Sequence, residues 1–449
     1  MMKTLNVSTT RLCALTALLF GQAAGFTRGD DQIVKFVADY EKEIMPEGVD
    51  WKEVGPDARA ATLEFLAAQT KGNFEKIRTL KCSAQVHMMQ WLSSDHIKSN
   101  YADRFPKKDY SDMYQTFDYT INVVIDQGQN AVFRDKVTSK MAFKRANGMG
   151  DLVKITGVEP NDNRSVVTNK SFIYFNPNRV TPSFHMLPPR PEAQNKRAAY
   201  CVPVAESQNQ ENGDLMDPRA YFGFDERTKF WGGPTLIAQA LKGQGDAKKE
   251  VEARLDLGQG RNAAGEWFLV RFRFPTNTSD GTTLIATSVW SSHYGFNPTG
   301  YVAYKLKDGV SQRDARIDFR WEKIQGVFMP AVVKEILFTR LGGKLSYERQ
   351  VKFSDYNLNS TLDPNQFGYS ALGLRDGDLI LNNIENVAYT YDDRTKGPLK
   401  LAAYGDSHVP EHRPLVSRSW PLFFAITGVA AVAAVAWYVR KFHSSQGKS

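Results

Sequence analysis

Histidine and cysteine are scarce in this chain, at seven and three in 449 residues. With so few imidazoles, two of them at His408 and His412 and a third at His443, a buried triad has few candidates. The string HVPEH, His408 to His412, spells a zinc motif that requires a helix presenting both histidines on one face. Pro410 opposes that helix, so no metal site is read there. Other catalytic signatures are missing as well. GYSALG, Gly368 to Gly373, is one residue too long for a nucleophile elbow, and Ser370 reads as a loop hydroxyl. GQG, Gly258 to Gly260, joins two strands instead of opening a helix, and so reads as a hairpin turn and not a phosphate cradle. Carboxylates lie on the polar faces of strands, where solvation accounts for them. No catalytic residue, metal ligand or cofactor is assigned, and the sequence gives no support to an enzyme.

Acidic residues are absent from both ends: all 49 lie between Phe26 and His412. Seven of the 57 basic residues (Lys3, Arg11, Arg413, Arg418, Arg440, Lys441, Lys448) lie outside that stretch, leaving 50 within it. The formal charge of +8 thus shrinks to +1 over the body, and nucleic acid is set aside as a partner. The charges that remain at the ends have a topological reading. Lys3 and Arg11 precede the apolar run Leu12 to Phe20, and Ala23 and Gly25 fit a cleavage site before Phe26, so 1–25 reads as a secretory signal peptide. No small-residue box precedes Cys13, which argues against lipid attachment there.

Long uncharged runs are equally rare, and the one at 420–439 stands out for that reason. WPLFFAITGVAAVAAVAWYV is long enough, at ~1.5 Å per residue, to cross a ~30 Å hydrocarbon layer as one helix. Trp420 at one end and Trp437 with Tyr438 at the other suit the two interfaces, and Arg440 and Lys441 follow at once. The expected topology is a single span, with the body exported and the tail 440–449 cytoplasmic. The segment 393–419, with Pro398, Pro410 and Pro414, reads as a stalk.

Between signal and stalk the chain begins helical. Ile33, Val34, Val37 and Tyr40 recur at helical spacing, as do Ala60, Leu63, Leu66 and Ala67 in a second helix from Pro56. A third helix is read from Asn73 to Leu80, so 26–80 forms a helical cap, either covering the sheet or acting as a lid. From Lys81 the period becomes two. Strands are expected at Cys82 to Leu92, Phe117 to Asp126, Phe133 to Phe143, Glu250 to Leu257, Trp267 to Phe274, Tyr301 to Leu306, Ala315 to Lys323, Val332 to Phe338 and Leu345 to Phe353. Short turns such as Asp308 to Gln312 make consecutive strands antiparallel neighbours. The fold class is mainly β with a helical cap (α+β): a large curved antiparallel sheet over 81–392, curling as a half-open barrel around helices.

The stretch 147–217 is rich in Asn and Pro and reads as long loops, with strand character confined to Arg164 to Phe175. Helix is expected in part of Asp217 to Lys242, beside the aromatic cluster Tyr221, Phe222, Phe224, Phe230 and Trp231, a satellite core or a ligand platform. Cys82 and Cys201 remain after processing, either as one disulfide or as two buried thiols. Sequons stand at Asn163, Asn169, Asn277 and Asn359.

The join NFEKIRTLKCSAQVHM, followed by the long meander, resembles the lipoprotein-localisation (LolA/LolB-like) superfamily, and YNLNSTLDPNQFGYSALGLRDGD resembles the closing strands of uncharacterised exported bacterial relatives. The resemblance implies a half-open β-barrel around helices whose apolar concavity accepts acyl chains. It transfers no functional residue by position. If the dry face of the sheet turns inward, Val86, Met88, Tyr119, Ile121, Phe272, Phe319 and Trp321 line the hollow, as plain core or as a pocket. The expected function is a membrane-anchored extracytoplasmic binding protein for an apolar or lipidated ligand such as a lipid or lipoprotein. The alternatives are an envelope stress or lipid sensor working with a membrane-protein partner, and a non-catalytic envelope scaffold.

Overall fold

Period-two alternation becomes long paired strands in the computed structural model, which describes residues 39–101, 111–146, 152–153, 162–177, 197–203, 217–222, 254–275, 282–338, 345–385 and 387–400. The signal segment, most of the 147–217 loops, the start of the strand expected from Glu250, His408 to His412, and the anchor residues Trp420, Trp437, Tyr438, Arg440 and Lys441 lie outside these residues. Among the described residues no helix is long and apolar enough to cross a membrane.

The chain opens with α1 (Asp39–Lys42), β1 (Lys52–Glu53) and α2 (Pro56–Glu75), then β2 (Thr79–Leu92), α3 (Ser94–Tyr101), β3 (Met113–Asp126) and β4 (Ala131–Arg145). Short strands follow: β5 (Leu152–Val153), β6 (Asn163–Val167), β7 (Ser171–Phe175) and β8 (Ala198–Pro203). The main meander is β9 (Leu255–Asn262), β10 (Gly265–Pro275), β11 (Thr283–Ser291), β12 (Asn297–Lys307), β13 (Val310–Ile324), β14 (Val327–Phe338) and β15 (Leu345–Leu358). The last strands are β16 (Leu379–Asn382), β17 (Val387–Asp392) and β18 (Gly397–Lys400). One sheet joins them. Its ladders run β1, β9 through β15 in sequence order, then β2, β3, β4, β6, β7, β8, β16 and β17. All neighbours on this path are antiparallel except β8 and β16, while β5 pairs with the far end of β4.

The sheet curves around α2. Leu63, Leu66 and Phe74 of this helix share one apolar cluster with Ala84 and Val86 of β2, Ile121 of β3, Val270 of β10, Ala286 of β11 and Val351 of β15. Strands far apart along the ladder path meet the same helix, which is what makes this face concave. Pro56 at the first helical position starts α2, its missing N–H costing nothing there. The helix expected from Asn73 to Leu80 is not separate. Asn73 and Phe74 close α2, and Thr79 and Leu80 already belong to β2. Apolar spacing misled because Ile77, in the link, is as buried as a helical core residue. Asn359 makes that sharp join: its side-chain oxygen accepts from the Arg78 N–H at 2.8 Å and its nitrogen donates to the Lys76 carbonyl at 2.9 Å. The Asn359 sequon nitrogen is therefore engaged in the fold.

Three other expectations change, and the open choice for the two cysteines falls to buried thiols. Gly258 to Gly260 lies inside β9, not at a turn, because residues 49–53 lie across it: β1 pairs Lys52 with Gln259 and Glu53 with Gly258. A Cβ on Gly260 would collide with Val49 Cγ1 and stand 2.8 Å from the Asp50 carbonyl oxygen. Within the loop region 147–217, Arg164 to Phe175 divides into the hairpin of β6 and β7, and β8 is an additional strand. The segment read as a stalk from 393 begins with a turn and β18. Cys82 and Cys201 are both free and buried, in two different apolar clusters, so the disulfide is not formed.

Candidate ligand-binding concavity

All seven residues expected to line the hollow come together. Val86, Tyr119, Ile121, Phe272 and Trp321 are buried in the concave cluster, and Met88 and Phe319 pack against it partly buried. Register explains the convergence, since directly paired residues of an antiparallel ladder share a face. One row crosses the sheet as Tyr301, Ile317, Glu335, Arg349, Met88 and Phe117, each paired with the next.

That row contains a buried ion pair in an apolar wall. Arg349 donates to one Glu335 oxygen, and the Tyr221 hydroxyl donates to the other at 3.0 Å. Burial opposes the charge of Arg349, but the fields of Glu335 and of nearby tyrosines outweigh it and hold the guanidinium above its ordinary pKa. Burial, and then the Glu335 charge, push the Tyr221 phenol well up, so it stays a donor. Alternation alone had not marked Glu335 or Arg349, because charged residues on an inward face read as breaks in the pattern.

Tyr221 arrives from outside the sheet. The segment 217–222, whose Pro218–Phe222 is a 3-10 turn, is entirely buried and fills the centre of the concavity. The Tyr221 ring meets Phe319 and Phe353 edge-on at 6.1 Å, and Phe222 lies 5.4 Å from Trp321. Asp217 and Arg219 pair with each other, and the Arg219 guanidinium lies 5.3 Å from the Phe74 ring of α2. Tyr221 and Phe222 thus belong to the core; Phe224, Phe230 and Trp231 lie outside the described residues.

Towards the β2 C-terminus the concave face is less completely covered. Met88, Phe117, Phe274 and Leu284 are only partly buried, and Leu337, in register with Ala315 and Tyr347, is 44% exposed. Inward-facing Lys136 and Arg134 of β4 are in register with Ile121 and Val123, which oppose Ala84 and Cys82 towards the other end of β2. A separate cleft of about 600 Å³ lies beside the α2 C-terminus, with Glu75, Lys76, Arg78 and Gln325 among its walls, and none of the seven residues lines it. No cluster of three or more His, Cys, Asp or Glu side chains that could hold a metal occurs among the described residues. Ser370 donates to the Asn365 carbonyl at 3.1 Å, as a loop hydroxyl does.

Burial raises both thiols above the ordinary value of 9.0. Neither Cys82 nor Cys201 should react with a maleimide in the native protein at pH 8, and both should react in urea. The folded state keeps protons that the unfolded state releases above about pH 9, so this contribution is present below pH 9 and is lost as pH rises. The loss approaches about 1.4 kcal/mol per pH unit for each such group. Urea midpoints measured from pH 8 to 10.5 check the sign; a flat profile would mean that the thiols are solvated.

The site defines a class, a curved antiparallel β protein with a partly filled apolar concavity. Comparison adds little to that. No family model matches the chain, and no curated protein does. Among solved structures the chain is similar to the crystal structure of a DUF1329 family protein from Desulfovibrio piger ATCC 29098, with 10% sequence identity and a TM-score of 0.30. The match covers 70% of this chain and 99% of that one.

Proposed function

We propose that the protein is a membrane-anchored, extracytoplasmic binding protein for an apolar or lipidated ligand, seated on the concave face of the sheet. The observation that carries this reading is a set of apolar side chains left partly uncovered towards one end of the concave face: Met88, Phe117, Phe274, Leu284 and Leu337. An acyl chain laid along them would gain about 0.8 kcal/mol per buried methylene. The signal segment and the apolar run 420–439 support the exported, single-span placement.

Native mass spectrometry of the full chain, released from non-ionic detergent and followed by solvent extraction, tests the reading. A stoichiometric adduct that disappears on extraction is expected. A clean apo mass, with no uptake of a fluorescent fatty acid, would turn the choice to a second reading, an envelope scaffold with a filled core. That reading has its own support in Tyr221 and Phe222, which already occupy the centre of the hollow.

A further inference from the structure

We infer that the segment 217–222 is an internal stand-in for the ligand, and that the ligand displacing it is an apolar molecule ending in a hydroxyl that donates to Glu335 as Tyr221 does. This rests on the reading above that the face takes an apolar ligand. The argument starts from how the segment is held. Among the described residues, no backbone hydrogen bond ties Pro218–Phe222 to a strand or to α2; the Ala220 N–H turns back to the Asp217 carbonyl at 3.0 Å. Asp217 and Arg219, both buried, neutralise each other through a two-pronged pair. Side chains alone join the segment to the wall: the Tyr221 hydroxyl on Glu335, the Tyr221 ring on Phe319 and Phe353, and Phe222 on Trp321. A molecule with an apolar body and one hydroxyl offers the same contacts.

The approach to that point lies on the less covered part of the face. One inward row runs Phe272, Ala286, Ala303, Ala315 and Leu337, each paired with the next across β10 to β14. Three alanines in succession keep the row low, and it ends at the exposed Leu337. Glu335 stands two residues from Leu337 on the same strand and so on the same face. A chain lying over the alanines therefore reaches Glu335 where the Tyr221 hydroxyl now sits. The polar end that suits the place follows from the charges there. Glu335 and Arg349 already balance as a buried pair, so a charged head would bring a charge without a counterpart. A hydrocarbon end would leave a buried carboxylate oxygen without its donor. A neutral hydroxyl does neither, and Glu335 becomes the group that selects it.

The purified full chain in lipid nanodiscs, titrated with 4-nonylphenol, dodecan-1-ol and the methyl ether of each, tests this. Side-chain oxidation by hydroxyl radicals is mapped by mass spectrometry at each concentration. A hydroxylated probe should protect Met88 and, over the same range, raise oxidation of Tyr221 and Phe222 several-fold, with the fully buried Trp290 unchanged. Its ether should need about ten times the concentration, and the more effective hydroxyl tells a phenol from an alcohol. Tyr221→Phe removes the donor that fastens the stand-in, so half-saturation by the hydroxylated probe should fall about tenfold while the preference over the ether persists. Protection of Met88 with Tyr221 and Phe222 still covered would overturn the inference and leave the apolar-ligand reading intact. Equal half-saturation by hydroxyls and ethers, or a value unmoved by Tyr221→Phe, would do the same. No change at Met88, Tyr221 or Phe222 with any probe would overturn both.

Discussion

Replacing Glu335 with leucine is expected to destabilise the protein by about 3–5 kcal/mol, because it leaves the Arg349 guanidinium charged in an apolar wall. Leucine fills much of the volume, so the loss is electrostatic and not a cavity effect. The Tyr221 hydroxyl loses its acceptor in the same step, which adds about 1–3 kcal/mol where no other acceptor is within reach. The double change Glu335→Leu with Arg349→Met should recover most of the loss, since replacing a buried pair by apolar residues of similar size is often neutral or stabilising. Tyr221→Phe on that background should recover the remainder. Urea unfolding of these four proteins together with the single variant Arg349→Met closes the cycle and measures the coupling directly. A single-variant loss under about 1 kcal/mol would mean that water reaches the pair, as at an exposed salt bridge. If the double variant is at least as stable as the parent, the charges contribute nothing to the fold and their retention needs a reason in binding.

The parts of the fold that were legible in the sequence are those where one face of a strand is wet. Residues 315–323 alternate cleanly because Arg316, Asp318 and Arg320 meet solvent or surface partners while Ile317 and Trp321 pack inward. Strand β11 escaped notice for the opposite reason. From Ile285 to Ser291 it is buried on both faces, and TLIATSVWS therefore has no period of two. The same is true of β8, where AAYCV is buried throughout. In β9 the glycines suggested a turn, and only the crossing of 49–53 over Gly260 shows why a strand needs a residue without a side chain there. The candidate site divides in the same way. Its apolar lining followed from alternation, whereas the inward charges Arg134, Lys136, Glu335 and Arg349 follow only from register, which a single sequence does not specify.

The covering of β11 leads to the second large effect, on the convex side of the sheet. Glu41, on the four-residue α1, is completely buried there. One of its oxygens accepts from Arg271 Nε at 2.7 Å, from the Thr287 hydroxyl at 2.6 Å and from the Tyr304 hydroxyl at 3.2 Å, and the other accepts from a second Arg271 nitrogen. A helix this short has no stability of its own, so these bonds, with Ile44 packed among Trp267, Val289 and Val302, hold 39–54 on the sheet. Glu41→Gln should cost about 3 kcal/mol, the low end for breaking a buried pair, because Asp256 stands 3.6 Å from Arg271 and compensates part of its charge. Glu43→Gln, which loosens the surface pairs with Arg313 and Arg316, should cost under about 1 kcal/mol. Amide hydrogen exchange separates local from global loss. In the Glu41 variant it should accelerate across 39–54 and in β11, which this segment covers, while α2 stays protected. Burial and then the Glu41 charge raise the Tyr304 phenol, so its titration should also move down towards 10.0, the ordinary value, in that variant. Unchanged exchange in 39–54 would mean that β1 pairing with β9 holds the segment unaided, and the buried carboxylate would then need another explanation. Acceleration confined to 39–54 and β11 would make this segment a strap fastened by one carboxylate, and its release would bare the outer face of β11 without disturbing the concavity.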